Sequence, residues 1–324
     1  MAQISRPLRL TFYILVILAG TVLSAGLAMR HAERQTLVEE AARANEQLGL
    51  YANSLHTLIE RYRALPAVLA LDPELRAALQ GPVATETQDA LNRKLEKING
   101  AARSSTLELL NHEGLAVAAS NWRLPSSYVG HNYGFRPYFK QTRSQGSGRF
   151  YAVGVTSGIP GYFLASAVKA DNQDFLGAMV VKLEFPELEH EWSQGNDTLL
   201  VSDARGIVFI ANQPGWRYRH LQPLSSNDLE EIKLTRQYDK QPLTPLQHQT
   251  LQRFDDNSSL ARVEGPEGRA SYLWESLPLA AEGWTLHLLR KPPNAFEETR
   301  NAGLAAAGAW LTLVFLLLFL NQRW

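Results

Sequence analysis

The sequence predicts an α+β fold, in which a long N-terminal helix leads into two antiparallel-sheet domains in tandem, flanked by two transmembrane helices. Three observations carry this. An uncharged apolar span stands near each end, a heptad pattern follows the first span, and a strand–turn–strand pattern occurs twice in the body between them.

Leu10 to Met29 contains no charged residue, and neither does Ala302 to Leu320. Each is close to the ~20 residues a helix needs to cross a hydrocarbon core roughly 30 Å thick. Two crossings put both ends of the chain on one side of a membrane and Arg30 to Asn301 on the other. Proteins built that way report one compartment to another. The first span also ends in small residues, Ser24-Ala25-Gly26, as a cleaved signal peptide does. Its length, and the helical pattern that continues from it, favour an anchor. Arg6 and Arg9 precede the first span but Arg30 and Arg34 follow it, so orientation is argued mainly from the short N-terminal tail.

After the first span, Leu37, Ala41, Ala44, Leu48, Tyr51, Leu55, Leu58 and Tyr62 alternate spacings of four and three, which lines one face of a helix. That stripe has two readings: pairing with a copy of itself, or packing on the chain's own body. Pro66 and Asp72-Pro73 punctuate the helix, and shorter helices follow to about Asn99.

From Thr106 the texture changes to strands. Leu107–Leu110 and Leu115–Ala119 flank the turn-forming Asn111-His112-Glu113-Gly114. Strand-like runs follow at Phe150–Val155, Tyr162–Val168 and Leu176–Leu183, the first two joined by Ser157-Gly158-Ile159-Pro160-Gly161. A helix entering a sheet of about five antiparallel strands is an α+β domain. The pattern recurs at Thr198–Val201, Ser202 to Gly206 and Ile207–Ala211, and strands resume at Ala261–Val263, Ser271–Glu275 and Trp284–Leu289. Between them Gln213–Gln252, with prolines at 214, 223, 242 and 245, reads as irregular.

The 324 residues balance 32 Lys plus Arg against 32 Asp plus Glu, so no polyanionic partner is implied and nucleic acid is excluded as a guess. Cysteine is absent, which removes disulfides, Cys-ligated zinc and thiol chemistry together.

Three runs make the chain recognisable: Phe135-Arg136-Pro137-Tyr138-Phe139, Thr156 to Phe163, and Val180-Val181-Lys182-Leu183-Glu184-Phe185. Val201 to Val208 and Pro214-Gly215-Trp216-Arg217-Tyr218 extend the set. In that order they resemble the sensor region of the C4-dicarboxylate sensor histidine kinases of the DctB family. The resemblance implies a double Cache (tandem PAS-like) periplasmic fold, with ligand held in the membrane-distal domain, and a two-component signalling role in the inner membrane as a homodimer. It also implies transporter or response-regulator pathway partners and no cofactor.

The boundaries expected are a cytoplasmic tail at 1–9, a membrane helix at 10–29 and a long periplasmic helix at 30–65. A distal ligand-binding domain follows at 66–190, a proximal domain at 191–292, a second membrane helix at 302–320 and a cytoplasmic end at 321–324. The family's kinases continue past the second span into dimerisation and ATP-binding domains, whereas Asn321 to Trp324 follow it here. The expectation is the sensor section of a longer product, or a sensor whose output is another protein. No kinase phosphoacceptor histidine and no Gly-rich nucleotide loop occur, and Gly146-Ser147-Gly148 reads as a turn.

A C4-dicarboxylate is a short rod with an anion at each end. Selective binding takes a cation or donor at each pole: arginine offers a planar fork, lysine a point charge, and hydroxyls complete the shell. Arg136 is the expected first clamp, and Lys182, on the strand Leu176–Leu183, the second. Thr156 and Ser157 offer hydroxyl and amide donors, and Tyr138 and Tyr162 offer phenols and a wall. The resemblance places Arg136, Thr156, Ser157 and Lys182 at ligand-contacting positions. Related Cache sensors for amino acids carry an acidic residue near the place of Lys182, so a lysine favours a dianion. From the residues alone, Lys182 alternating with Val181 and Leu183 also fits an exposed strand face, and the tyrosines also fit a core.

Other chemistry is weak. Glu187, Glu189, His190 and Glu191 read as a solvated helix surface rather than a metal site, and no Gly-x-Ser-x-Gly elbow accompanies the eight histidines. Two further functions stay open: a Cache-type receptor for another carboxylate or amino acid with a different output, and a membrane-tethered scaffold without a ligand.

Overall fold

The computed structural model describes residues 6–294 and 296–322; positions 1–5 of the expected tail and 323–324 of the expected C-terminal end lie outside it. Helix α1 (Arg6–Arg63) runs unbroken from the first apolar span into the body, and α8 (Phe296–Gln322) closes the chain. Both are long and apolar enough to cross a membrane. Their large apolar side chains, Phe12 to Leu27 on one and Leu311 to Leu320 on the other, are exposed, as a lipid-facing surface requires. The two helices touch where Trp310 Nε1 donates to the Ile17 carbonyl at 3.2 Å. The Trp310 indole lies over Gly20, where a Cβ would stand 2.3 Å from the ring.

Beyond the span, Leu37, Ala41, Ala44, Leu48, Leu55 and Tyr62 are buried. From Ala44 to Tyr62 they join one core cluster with Leu107 and Val181 of the first sheet and Leu199 and Leu286 of the second. Of the two readings of the heptad stripe, this segment takes the intramolecular one. Leu48 and Leu55 are wholly buried, and truncating either to alanine costs about 2–5 kcal/mol.

Three short helices lead into the first sheet: α2 (Leu65–Leu69), α3 (Pro73–Ala78) and α4 (Thr85–Ala102). Asp72 caps α3, its carboxylate accepting from the Glu74 and Leu75 amides, with Pro73 at the first helical position. Strands β1 (Thr106–Asn111) and β2 (Ala116–Ala119) form a hairpin. Helix α5 (Pro137–Gln145) follows, and β3 (Ser147–Val153), β4 (Pro160–Lys169) and β5 (Phe175–Leu183) complete an antiparallel sheet of order β2-β1-β5-β4-β3.

After α6 (Pro186–Ser193) the second sheet repeats this plan. It contains β6 (Thr198–Ser202), β7 (Val208–Ala211), β10 (His248–Arg253), β11 (Ser258–Gly265), β12 (Gly268–Leu279) and β13 (Trp284–Arg290). Read from β7 its order is β7-β6-β13-β12-β11-β10, the first sheet's order with one strand added at the edge. The duplication reaches individual turns. Asn111 accepts from the Glu113 and Leu115 amides and Asp203 from the Arg205 and Ile207 amides. Each turn closes on a glycine with positive φ, Gly114 or Gly206.

The segment 213–252 departs from the irregular reading. It holds helix α7 (Ser226–Thr235), started by a Ser225–Asp228 capping box, a short parallel pair β8 (Arg219–His220) and β9 (Thr244–Pro245), and the edge strand β10.

The first sheet has two unlike faces, because strand side chains alternate. One carries Leu107, Leu109, Met179, Val181, Tyr162 and Leu164 against the helices. The other carries Leu110, Ala178, Val180, Phe163 and Ala165 beneath Tyr128, Tyr133, Tyr138 and Phe139. The register pairs Glu108 with Val180, Thr106 with Lys182 and Phe163 with Lys182, which puts Glu108 and Lys182 on this second, tyrosine-roofed face.

Candidate functional site

A narrow cavity of about 10 Å³, room for about one water, lies on that face, lined by Glu108, Tyr128, Tyr133, Arg136, Tyr138, Gly154, Val155, Thr156 and Phe163. This is far below the roughly 300–1,000 Å³ of pockets for drug-sized ligands, so even a small ligand enters only if the walls move apart.

Arg136 is the N-cap of α5 rather than part of a free loop, and Pro137 fixes the first helical turn behind it. It is 1% exposed. Its Nη2 donates to the Val153 carbonyl at 2.7 Å and its Nη1 to the carbonyls of Thr235 and Arg236, both at 3.0 Å. One guanidinium thus borders the cavity and holds the C-terminal end of α7, where carbonyls lack helical partners. Burial pulls the guanidinium down from its ordinary value.

Tyr138, from the first turn of α5, stacks on Phe163 at 5.1 Å between ring centroids. Its hydroxyl donates to Glu108 Oε1 at 3.2 Å. Thr156 Oγ1 shares a 2.8 Å hydrogen bond with the Tyr133 hydroxyl. Ser157, one residue on, accepts from the Tyr128 hydroxyl at 3.3 Å and from Lys182 Nζ at 3.4 Å.

Lys182 is 1% exposed, so the surface-face alternative does not hold. Its Nζ donates to Glu184 Oε1 at 2.6 Å and to the Ile159 carbonyl at 3.0 Å. The buried ammonium is therefore paired and tied to the β3–β4 connection, as burial of a cation demands. Its stem passes over Gly161, where a Cβ would come within 2.6 Å of Lys182 Cε. The structure gathers Arg136, Tyr138 and Thr156 around the cavity, with Ser157 and Lys182 bonded to its wall through Tyr128.

Tyr162 is not brought there. It alternates with Phe163 along β4, so it faces the opposite side of the sheet. Its hydroxyl bonds Glu282, which also pairs with Arg63 at the end of α1 and with Arg149. As a wall of the cavity Tyr162 is thus corrected by strand parity; it joins the two sheets and α1 instead.

The site also takes in Glu108, Tyr128 and Tyr133, which are not among the residues expected from the sequence. Glu108 is 2% exposed, and its Oε2 has no hydrogen-bond partner among the described residues. Burial, offset in part by Tyr138, Lys182 and Arg136, pushes its carboxyl up to about 7. The charge inside the apolar run Leu107-Glu108-Leu109-Leu110 was the available signal. In the segment 187–191, Glu187, His190 and Glu191 are exposed, whereas Glu189 is half-buried and paired to Arg217.

No protein-family model matches the chain. It is 34% identical over 320 residues to the C4-dicarboxylate transport sensor protein DctB of Rhizobium meliloti, covering 97% of this chain and 51% of that protein. It is 32% identical over 283 residues to the protein of the same name from Pseudomonas aeruginosa, covering 87% of this chain and 43% of that one. The chain thus spans about half the length of the curated relatives it matches. The crystal structure of the Vibrio cholerae histidine kinase DctB sensor domain superposes with a TM-score of 0.72 at 27% identity, over 79% of this chain and 98% of that one. Over the sensor region it shares with these proteins, the chain belongs to the DctB family of sensor histidine kinases.

Proposed function

We propose that this chain is the sensing section of a membrane receptor for C4-dicarboxylates of the succinate, fumarate and malate type. It takes its ligand in the first sheet unit, residues 66–190, and passes the signal through the second, 191–292, and the two membrane helices. The observation that carries the reading is a small cavity lined by one buried cation, with a second buried cation behind its wall on the same sheet face. Arg136 comes from the start of α5 and Lys182 from the end of β5. Thr156, Ser157 and Tyr138 supply the neutral donors between them. The names of the relatives at 32–34% identity support the ligand class.

In this reading the body stands in the periplasm and both chain ends in the cytoplasm, with the protein acting as a homodimer upstream of a response regulator. A ligand carboxylate competes with the Thr235 and Arg236 carbonyls for Arg136, so binding bears directly on the end of α7. Only a difference in affinity between two arrangements can shift their balance, and the shared guanidinium provides one.

A thermal-shift screen of the full chain in detergent micelles tests the proposal. Succinate, fumarate and malate are expected to raise the melting temperature, and amino acids and monocarboxylates to leave it unchanged. Stabilisation by amino acids with none by diacids contradicts it.

A further inference from the structure

The cavity contains a carboxyl that a dianion does not ask for. Glu108 projects from β1 onto the tyrosine-roofed face, lines the cavity, and leaves Oε2 without a hydrogen-bond partner among the described residues. An ionised oxygen in that position is buried without a donor, which is costly, and a dianion beside it adds like-charge repulsion. A protonated carboxyl has the opposite need: its O–H seeks an acceptor, and a ligand carboxylate oxygen is one.

The groups around Glu108 bear this out. Arg136 and Tyr138 face it from the start of α5, and Tyr128 and Tyr133 from the segment after β2. Lys182 acts on it from β5, with Glu184 bonded behind. Phe163 faces it from β4 and Thr156 from the β3–β4 connection. The two cations are already balanced by Glu184 and an ionised Glu108, so a dianion would bring a net charge of two into a buried site. Protonating Glu108 halves it.

Resting on the dicarboxylate reading above, we propose that Glu108 is a ligand-binding residue that acts as a neutral acid. As the dianion enters, one proton from solvent bonds to Glu108 Oε2, that O–H donates to a ligand carboxylate oxygen, and the Tyr138 hydroxyl keeps donating to Oε1. Each diacid is therefore taken up with one proton, and the site reports the diacid and the acidity of its compartment together. The raised carboxyl of Glu108, at about 7, makes the proton available near neutrality.

Calorimetric titration of succinate into the full chain in detergent micelles, in Hepes and in Tris, reads the protons bound per ligand, because the two buffers differ in ionisation enthalpy. Close to one proton is expected at pH 8 and fewer at pH 6, where Glu108 already carries it. Affinity is expected to weaken about tenfold from pH 8 to pH 9. Glu108→Gln places a permanent N–H donor at the same point, so its proton uptake should vanish and its affinity at pH 9 should be at least tenfold tighter than wild type.

Wild-type binding at pH 8 without proton uptake overturns the proposal and leaves the dicarboxylate reading standing; this comparison needs no variant to fold. Uptake that persists unchanged in Glu108→Gln overturns it as well, because the proton then sits elsewhere. No succinate binding at either pH overturns both readings.

Discussion

Arg136 donates through Nη1 to the Thr235 carbonyl at 3.0 Å, so the residue that begins helix α5 also closes the C-terminal end of α7 beside the other sheet. The same nitrogen reaches the Arg236 carbonyl, and Nη2 the Val153 carbonyl. A side chain proposed to clamp a ligand is thereby part of the joint between the two halves of the body.

Arg136→Ala leaves three carbonyls without their charged donor. Hydrogen bonds to charged groups contribute about 1.5–3 kcal/mol, so a loss of about 3 kcal/mol is expected, read as a lower melting temperature. Hydrogen exchange should quicken at Arg236 and Gln237, just past the end of α7. Unchanged exchange there would show that the joint does not depend on the guanidinium.

Glu108 sets a pH dependence of stability whose sign follows from its position. Its carboxyl is raised from the ordinary 4.5 to about 7 in the folded chain, so the folded state binds the proton more tightly than the unfolded state does. Stability from this group is therefore greatest at low pH, falls as pH rises from about 4.5 to about 7, and levels off above. At 1.36 kcal/mol per unit the full span is about 3 kcal/mol. Glu108→Gln should match wild type near pH 4.5 and exceed it by up to that amount at pH 8, as a melting-temperature difference that widens with pH. A difference that stays flat across this range refutes the assignment.

Tyr162→Phe separates the two faces of the first sheet. Removing the hydroxyl breaks its bond to Glu282 in the Arg63–Glu282–Arg149 cluster, at a cost of about 1.5–3 kcal/mol. Because the ring stands on the helix-packed side, succinate affinity should stay within twofold of wild type. A tenfold loss would return Tyr162 to the cavity.

What the sequence revealed, and what it hid, follows from which signals are local. The short apolar runs Leu107–Leu110 and Leu176–Leu183, and the turn residues Asn111 to Gly114, disclosed both hairpin and strands, because these signals lie within a few residues of one another. Strand β10, His248-Gln249-Thr250-Leu251-Gln252-Arg253, escaped because it is an edge strand with a mostly exposed, polar set of side chains. Helix α7 was masked by the surrounding prolines, although Ser225 and Asp228 carried its cap.

In the site, the charge that drew notice to Lys182 in an apolar strand applies equally to Glu108. Tyr162 went to the wrong face because parity relates neighbours but does not say which face holds the cavity. The reach of Arg136 to Thr235 joins residues 99 apart in the chain, and no local pattern encodes it.

The packing of α1 on α8 depends on the absence of a side chain at Gly20, where a Cβ would lie 2.3 Å from the Trp310 ring. Gly20→Leu should force the two apolar helices apart. The chain contains no cysteine, so a Thr36→Cys, Glu298→Cys pair, placed where Thr36 Oγ1 and Glu298 Oε2 lie 3.0 Å apart, offers a clean cross-link through a short thiol-reactive bridging reagent. Cross-linking is expected to be efficient with Gly20 and to fall severalfold with Leu. Equal yields would mean that the indole contact does not set the helix pair.

The central claim is that the buried ammonium of Lys182 holds one pole of a dianion. Its most direct test is calorimetric titration of succinate at pH 6 into the wild-type chain and into Lys182→Gln, which is one bond shorter, keeps a hydrogen-bond donor and removes the charge. Truncating one member of a buried charge pair costs about 2–5 kcal/mol, so affinity should fall by about 30-fold or more. Equal affinity in a variant that melts as wild type does would contradict the account.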